Sequence, residues 1–341
     1  MSLFKLLKTF RPKKQPDNSC LSNLEKYYAL SKEDILSEIK QSLIDKSYFS
    51  ADGQLSYKEL GGANNYGFAL YNSKKDNSAW ITKIAPNTLQ IREALFYEYH
   101  EKFLNEKSLF APKYIGYDIL EKSELGILTI EKLNHAKNIY PSQIFDLFSR
   151  YEQGKNLFNN GLLNDAPKLK SGTIIRDIIV NLVCDFNSSN AESYINNFFL
   201  ERIEKLPKHI NELVYIQSEI NKHYKSLKNI DKSLIGFVHG DFKPSNIMVD
   251  SKNQLRLIDF QYYCQGVRVW DLAFFFSKNK KPFSKSLKPF LKENLTENEM
   301  KYLLFFYIFS VLLHAKPSAL KQKKCRPALD YLNSLMSKEE S

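Results

Sequence analysis

Phe237-Val-His-Gly-Asp-Phe-Lys-Pro-Ser-Asn-Ile-Met-Val-Asp250, followed by Leu257-Ile-Asp-Phe-Gln261, is the stretch whose reading decides the fold. It places His239, Asp241 and Asn246 on one short loop, and Asp259 follows Asp241 by 18 residues. Apolar runs flank these groups: Leu234 to Val238 before the loop, Ile247 to Val249 after it, and Leu255 to Ile258 before Asp259. Such runs read as short strands, which puts the polar residues at strand ends and in a tight connection. Carboxylates and a carboxamide converging from two adjacent strand ends can hold Mg²⁺, which takes oxygen ligands from few side chains together with substrate phosphates. A remaining carboxylate can orient an attacking hydroxyl. The pattern predicts phosphoryl-transfer chemistry, in which positioning and charge neutralisation supply nearly all the catalysis.

His-x-Asp-x-x-x-x-Asn followed by Ile-Asp-Phe resembles the motif pair shared by protein kinases and by small-molecule kinases of the aminoglycoside phosphotransferase and choline kinase type. Gly240 stands where a protein kinase carries the Arg of His-Arg-Asp, and His-Gly-Asp is the small-molecule form. Gln261 replaces the Gly of Asp-Phe-Gly. Leu-Ile-Asp-Phe-Gln and the later Trp270-Asp-Leu-Ala-Phe-Phe-Phe276 are similar to the ecdysteroid-kinase-like branch. Eleven residues separate Asp259 from Asp271, too few for a long activation loop, and no Ala-Pro-Glu follows Asp259. That gap argues against a regulated protein kinase.

The resemblance implies an α+β, bilobal, protein-kinase-like fold, with a small antiparallel-sheet N-lobe and a larger, mainly helical C-lobe. It implies ATP and Mg²⁺ as cofactors and a hydroxyl of a small molecule as acceptor. Asp241 would accept or direct the proton of that hydroxyl, and Asn246 and Asp259 would hold the metal. Lys243 stands where protein kinases keep a lysine facing the γ-phosphate; many aminoglycoside kinases have none there. His239 would brace the loop by hydrogen bonding. Asp271 would be structural, receiving backbone N–H groups from the loop.

The same fold requires parts upstream, and each has a candidate. Leu60-Gly-Gly-Ala-Asn-Asn-Tyr-Gly-Phe68 resembles the Gly-Gly-x-x-Asn loop of choline kinases at Gly61, Gly62 and Asn65. Glycines let backbone N–H groups approach phosphate oxygens, because no Cβ intervenes. The same residues also suit an ordinary hairpin turn. Ala79-Trp-Ile-Thr-Lys-Ile84 supplies Lys83 from a strand pattern. Ile91-Arg-Glu-Ala-Leu-Phe-Tyr-Glu-Tyr99 is helical in pattern and offers Glu93 or Glu98 as its partner. Glu93 is preferred, because Glu-x-x-Phe-Tyr matches this kinase branch. Leu125-Gly-Ile-Leu-Thr-Ile-Glu-Lys-Leu133 reads as a strand ending near Glu131, where the resemblance implies adenine contacts through backbone groups of Glu131 and Leu133; an ordinary core strand is the other reading. The order of these signals carries more weight than any one of them.

Composition is consistent with this. The 341 residues, 43% hydrophobic, suit one bilobal unit with a sizeable core. Cys20, Cys184, Cys264 and Cys325 show no Cys-x-x-Cys spacing, which suggests a reducing compartment and no zinc site. The net charge of +11 is unevenly spread. Lys5, Lys8, Arg11, Lys13 and Lys14 are interleaved with Leu3, Phe4, Leu6, Leu7 and Phe10. Residues 276–326 carry twelve Lys or Arg against Glu293, Glu297 and Glu299. The first segment reads equally as a basic amphipathic piece resting on an anionic membrane surface or as a frayed tail. No nucleic-acid module accompanies the basic clusters, so nucleic acid is not an expected partner. Tyr302 to Ala315 is apolar but shorter than the ~20 residues that span a bilayer, and reads as a buried helix.

The expected organisation is a tail over 1–22, an N-lobe over 23–133 and a C-lobe over 134–341. Ser31-Lys-Glu-Asp34 reads as a capping box opening a helix. Helices are expected at Ile144 to Phe148, Ile174 to Phe186 and Tyr194 to Ile203. The expected place is the cytoplasm, with a peripheral position at the inner face of a membrane if the tail binds lipid. Acceptors open at this stage are an amino alcohol, a sugar or aminoglycoside, and a membrane-associated glycolipid intermediate. A catalytically silent kinase-like binding protein and an atypical protein kinase are the alternatives.

Overall fold

The computed structural model describes residues 31–45, 54–58, 67–72, 79–105, 109–120, 125–136, 139–170, 172–278, 283–313 and 324–338. The basic N-terminal segment, Gly61, Gly62 and Asn65 lie outside them. Two compact units divide the chain: residues 1–94 with 113–132, and residues 95–112 with 133–341.

The first unit begins with α1 (Lys32–Asp45). Ser31 donates through its N–H and Oγ to Asp34 Oδ2, at 3.2 and 2.7 Å, and the Asp34 N–H returns to Ser31 Oγ at 3.1 Å. This reciprocal cap satisfies amide groups that the helix itself leaves without partners. Strands β1 (Gln54–Lys58), β2 (Gly67–Asn72), β3 (Ala79–Pro86), β4 (Tyr114–Ile119) and β5 (Leu125–Glu131) form one antiparallel sheet in the order β1-β2-β3-β5-β4. β5 has a neighbour on each side, and Leu125 to Ile130 are all buried, hence its unbroken apolar run. Thr82 and Thr129 face each other across β3 and β5 with their hydroxyls 2.9 Å apart. Pro86 closes β3, and α2 (Asn87–Phe103) follows without a loop. Its residues up to Ala94 belong to the first unit and the remainder to the second.

In the second unit, His100 on α2 accepts the N–H groups of Phe110 and Ala111 at Nε2, at 3.1 and 3.3 Å. Burial lowers its pKa to about 3, so the ring stays neutral and keeps that acceptor. α3 (Pro141–Tyr151) covers the first expected C-lobe helix, and α5 (Ser189–Lys205) contains the third. Between them α4 (Ile174–Ile178) widens into a π turn at Ile179–Val183, so the regular helix stops short of Phe186. α6 (Ile210–Leu227) packs against α5.

The short strands around the quoted motif fall where their apolar runs predict. They are β7 (Ile235–Val238), β8 (Ile247–Val249) and β9 (Leu255–Leu257); β8 pairs with β9 and with β6 (Asn134–His135). β10 (Cys264–Val267) was not expected and pairs antiparallel with β7. Its glycine hides it from pattern reading: a Cβ on Gly266 would stand 2.7 Å from the Val183 carbonyl oxygen. The chain closes with α7 (Val269–Ser277), α8 (Glu297–Leu312) and α9 (Cys325–Met336). α8 is buried from Met300 to Leu312, which explains an apolar run with no polar face. It starts before that run, because Thr296 and Glu299 build a capping box there. No helix among the described residues is long and apolar enough to cross a membrane. Thr296→Ala removes one side of that cap and is expected to cost about 1 kcal/mol of stability; urea unfolding reads this directly, and an unchanged midpoint contradicts it.

Candidate active site

The first unit presents a buried ion pair. β3 delivers Lys83 and α2 delivers Glu93, whose two carboxylate oxygens accept from Lys83 Nζ at 2.8 and 2.7 Å. Both side chains are buried, so the lysine is held as a fixed, desolvated cation. Of the two glutamates that the sequence offers, Glu98 is exposed. Glu131 ends β5 with its backbone N–H donated to the Lys113 carbonyl at 2.9 Å. Leu133 follows two residues later, in the second unit.

The second unit presents the loop between β7 and β8. Asp241 is 4% exposed and Asn246 5%. Asp241 Oδ2 accepts from Lys243 Nζ at 2.5 Å and from Asn246 Nδ2 at 3.2 Å, and the same Nδ2 donates to the Asp241 carbonyl at 2.9 Å. Asp241 Oδ1 is buried without a hydrogen-bond partner. Burial pushes the Asp241 pKa up and the charge of Asp259 adds to the rise; Lys243 and the Asn246 amide oppose it. Asp259 stands after β9 with φ 72° and ψ 54°, the left-handed region that aspartate enters more readily than most residues. The Asn246 side-chain nitrogen is thus committed to Asp241, and Asp259 lies near enough for its charge to act on Asp241. Among the described residues, no group of three or more His, Cys, Asp or Glu side chains is placed to hold a metal ion.

Residues that touch none of this chemistry fix the loop. Asp271, at the start of α7, is fully buried and accepts the N–H groups of His239 and Gly240 at 2.6 and 3.0 Å, together with the Tyr151 hydroxyl at 2.8 Å. His239 Nε2 lies 3.0 Å from the Ile258 carbonyl, and its Nδ1 accepts the Asp241 N–H at 3.2 Å. The ring therefore carries its proton on Nε2 and braces Asp241 against the strand that leads to Asp259. Gly240 has φ +86°, and a Cβ there would stand 2.7 Å from the Tyr262 carbonyl oxygen. The arginine of the protein-kinase motif would not fit. Trp270, buried as a core residue, also donates its indole N–H to the Gly240 carbonyl at 3.3 Å.

Phe260, next to Asp259, stacks on Phe96 of α2 with ring centroids 3.7 Å apart, and meets His239 edge-on at 4.6 Å. Sequence reading missed Tyr151, Phe96 and the π turn. A lone tyrosine or phenylalanine in a helical pattern carries no mark of what it will touch.

Burial raises the Asp271 pKa from 3.8 to about 7, against the pull of its three hydrogen-bond donors. A carboxylate with a raised folded pKa contributes stability at low pH and loses it as pH rises through the folded value. The stability of the wild type relative to Asp271→Asn is therefore expected to fall as pH is raised from about 4 to about 7, and to level off above. Thermal denaturation of both proteins across that range measures this; a constant difference contradicts it.

Several solved structures are similar to this chain. A structure of spectinomycin phosphotransferase in complex with ADP and spectinomycin superposes with a TM-score of 0.52 at 11% identity, covering 87% of this chain and 93% of that one. An aminoglycoside phosphotransferase from Alicyclobacillus acidocaldarius gives a TM-score of 0.47 at 14% identity, over 88% of this chain and 96% of that one. The choline kinase LicA from Streptococcus pneumoniae gives 0.45 at 14% identity, over 89% and 99%. The first of these establishes the kinase-like α+β fold. A search of curated proteins finds no match. The family model for choline/ethanolamine kinase matches residues 142–324, more than half of the chain, a stretch that contains both the Asp241 loop and Asp259. The chain belongs to the choline/ethanolamine kinase family and is a small-molecule kinase.

Proposed function

We propose that this kinase moves the γ-phosphate of ATP to a hydroxyl of a small molecule, with Asp241 as the group that receives the hydroxyl proton. The observation that carries this reading is the state of Asp241. One oxygen is fixed by Lys243 and Asn246, and the other is buried and unspent. Burial raises its pKa, which makes it a better proton acceptor than an ordinary aspartate. In the step, a bond forms between the acceptor oxygen and the γ-phosphorus, the bond to the β–γ bridging oxygen breaks, and ADP leaves. The hydroxyl proton passes to Asp241 Oδ1.

Asn246 and Asp259 are the residues to hold Mg²⁺, which when bound neutralises phosphate charge. Their fit rests on the Asn246 amide nitrogen, already committed to Asp241, which leaves its carbonyl oxygen as the outward acceptor. Lys83, locked by Glu93, is the cation for the non-transferred phosphates, and Gly61, Gly62 and Asn65 form the turn that covers them. Lys243 shifts from Asp241 to the γ-phosphate as charge develops there. The backbone of Glu131 and Leu133 is the adenine contact. In this reading residues 23–133 act as the nucleotide lobe and 134–341 as the acceptor lobe. The acceptor class spans amino alcohols, sugars and glycolipid intermediates, and the basic N-terminal segment favours an acceptor presented at an anionic membrane surface.

Asp241→Ala is expected to lower ATP-dependent turnover by about 10²–10⁴-fold while circular dichroism stays unchanged. Normal turnover by that folded variant refutes the role. Asp259→Ala is expected to weaken nucleotide binding at least about tenfold when Mg²⁺ is present and hardly at all when it is chelated. Calorimetry with and without the metal reads the difference, and equal affinities count against the metal assignment.

A further inference from the structure

Arg176 is a buried cation, 7% exposed, with no carboxylate partner among the described residues. Its N–H and its Nε both donate to the Thr173 hydroxyl, at 3.3 and 3.4 Å, which leaves the terminal guanidinium nitrogens unspent. The neighbouring acid, Asp177, is engaged elsewhere, accepting the Gly172 N–H at 2.9 Å. Those terminal nitrogens are not themselves closed off from solvent, so a guanidinium whose stem is packed in the core offers its paired N–H donors outward, where an anion can complete them.

The surroundings are built to leave that charge available. A Cβ on Gly172, which has φ +141°, would stand 3.1 Å from Arg176 Nη2, so the glycine leaves the edge of the guanidinium uncovered. Residues 166–176 contain Lys168, Lys170 and Arg176 and no acid, and both lysines are exposed. The same segment borders the catalytic loop. Ile179 lies three residues after Arg176, on the same helical face, and its Cδ1 is 3.0 Å from where a Cβ on Gly240 would stand. Gly240 immediately precedes Asp241. Here the helix opens into the π turn Ile179–Val183, a distortion that recurs at functional sites.

We propose that the acceptor of this kinase carries, besides the hydroxyl offered to Asp241, an anionic group of phosphate or carboxylate chemistry that Arg176 holds. The inference rests on the phosphotransfer reading and narrows its acceptor class. Neutral or cationic amino alcohols are then poor substrates, and acidic hydroxyl compounds are good ones. Arginine suits this task because its planar fork matches either anion with paired hydrogen bonds.

ADP release is measured for wild type, Arg176→Gln and Arg176→Lys with acceptors matched except for charge: ethanolamine against L-serine, glycerol against glycerol 3-phosphate, glucose against glucose 6-phosphate. The first pair tests carboxylate and the others phosphate. The expected result is a kcat/KM at least about tenfold higher for an anionic member in wild type, lost in Arg176→Gln through KM and partly restored by Arg176→Lys, with the KM for ATP unchanged. Preference for ethanolamine, or equal KM values in wild type and Arg176→Gln, overturns the proposal. A binding arm needs no turnover: with Mg²⁺-ADP saturating, inorganic phosphate or acetate should raise the Tm of wild type and not that of Arg176→Gln. Equal shifts overturn the anion site. A kept, Arg176-dependent shift with no ADP release from any acceptor counts instead against the kinase reading.

Discussion

The catalytic loop hangs from one buried carboxylate. Asp271 gives both of its oxygens to the protein: one to the Gly240 N–H, the other to the His239 N–H and the Tyr151 hydroxyl. These amides stand at a turn with positive φ, where neither helix nor strand can satisfy them, and leaving them unpaired in the core would be costly. Only an ionised aspartate accepts from three donors without carrying a competing proton. Burial makes that ionised form expensive, which the rise of the Asp271 pKa to about 7 records. Stability is given up so that the backbone on either side of Asp241 has a single conformation.

What the loop carries is then a matter of local charge. Asp241 is buried enough to have its pKa raised, yet Lys243 and Asn246 pin one of its oxygens, so its orientation does not depend on solvent. His239 ties its backbone to the strand leading to Asp259, and Phe260 places the neighbouring ring between His239 and Phe96. Lys83 and Glu93 follow the same logic in the first unit, as a buried pair made rigid by two short hydrogen bonds. The loop backbone is held by Asp271, Tyr151 and His239, which have no part in the proposed chemistry, the usual requirement for a site that works by positioning.

Membership of the choline/ethanolamine kinase family leaves the acceptor open, because in the proposed reading the motif residues serve phosphate and metal rather than the molecule being phosphorylated. In that reading the choice of acceptor falls to helices that hydrophobic periodicity locates but cannot rank. Arg176 stands out on one of them by burial without a carboxylate partner among the described residues, a property that follows from packing and not from residue type. The basic balance of the chain is in keeping with an acidic acceptor, although net charge alone would not point to a residue.

Much of the fold was legible in the residues. Apolar runs located β7, β8 and β9, the Ser31 and Asp34 pair announced α1, and Glu93 was separable from Glu98 through the Phe-Tyr that follows it. The motif also implied the part of Asp271, since a fixed spacing after Asp259 carried it. These features are short-range: strand period, helix caps and motif spacing act over a few residues and can be read in order. β10, the π turn, the Phe96–Phe260 stack and the Tyr151 hydroxyl were decided by tertiary structure alone. Each depends on what a distant segment brings within van der Waals or hydrogen-bond reach, as Val183 does for Gly266 and Asp271 for Tyr151. The sequence determined the motif whose residue types suit phosphoryl transfer; only packing determined which of those residues are buried, which are braced, and that Arg176 has no carboxylate partner among the described residues.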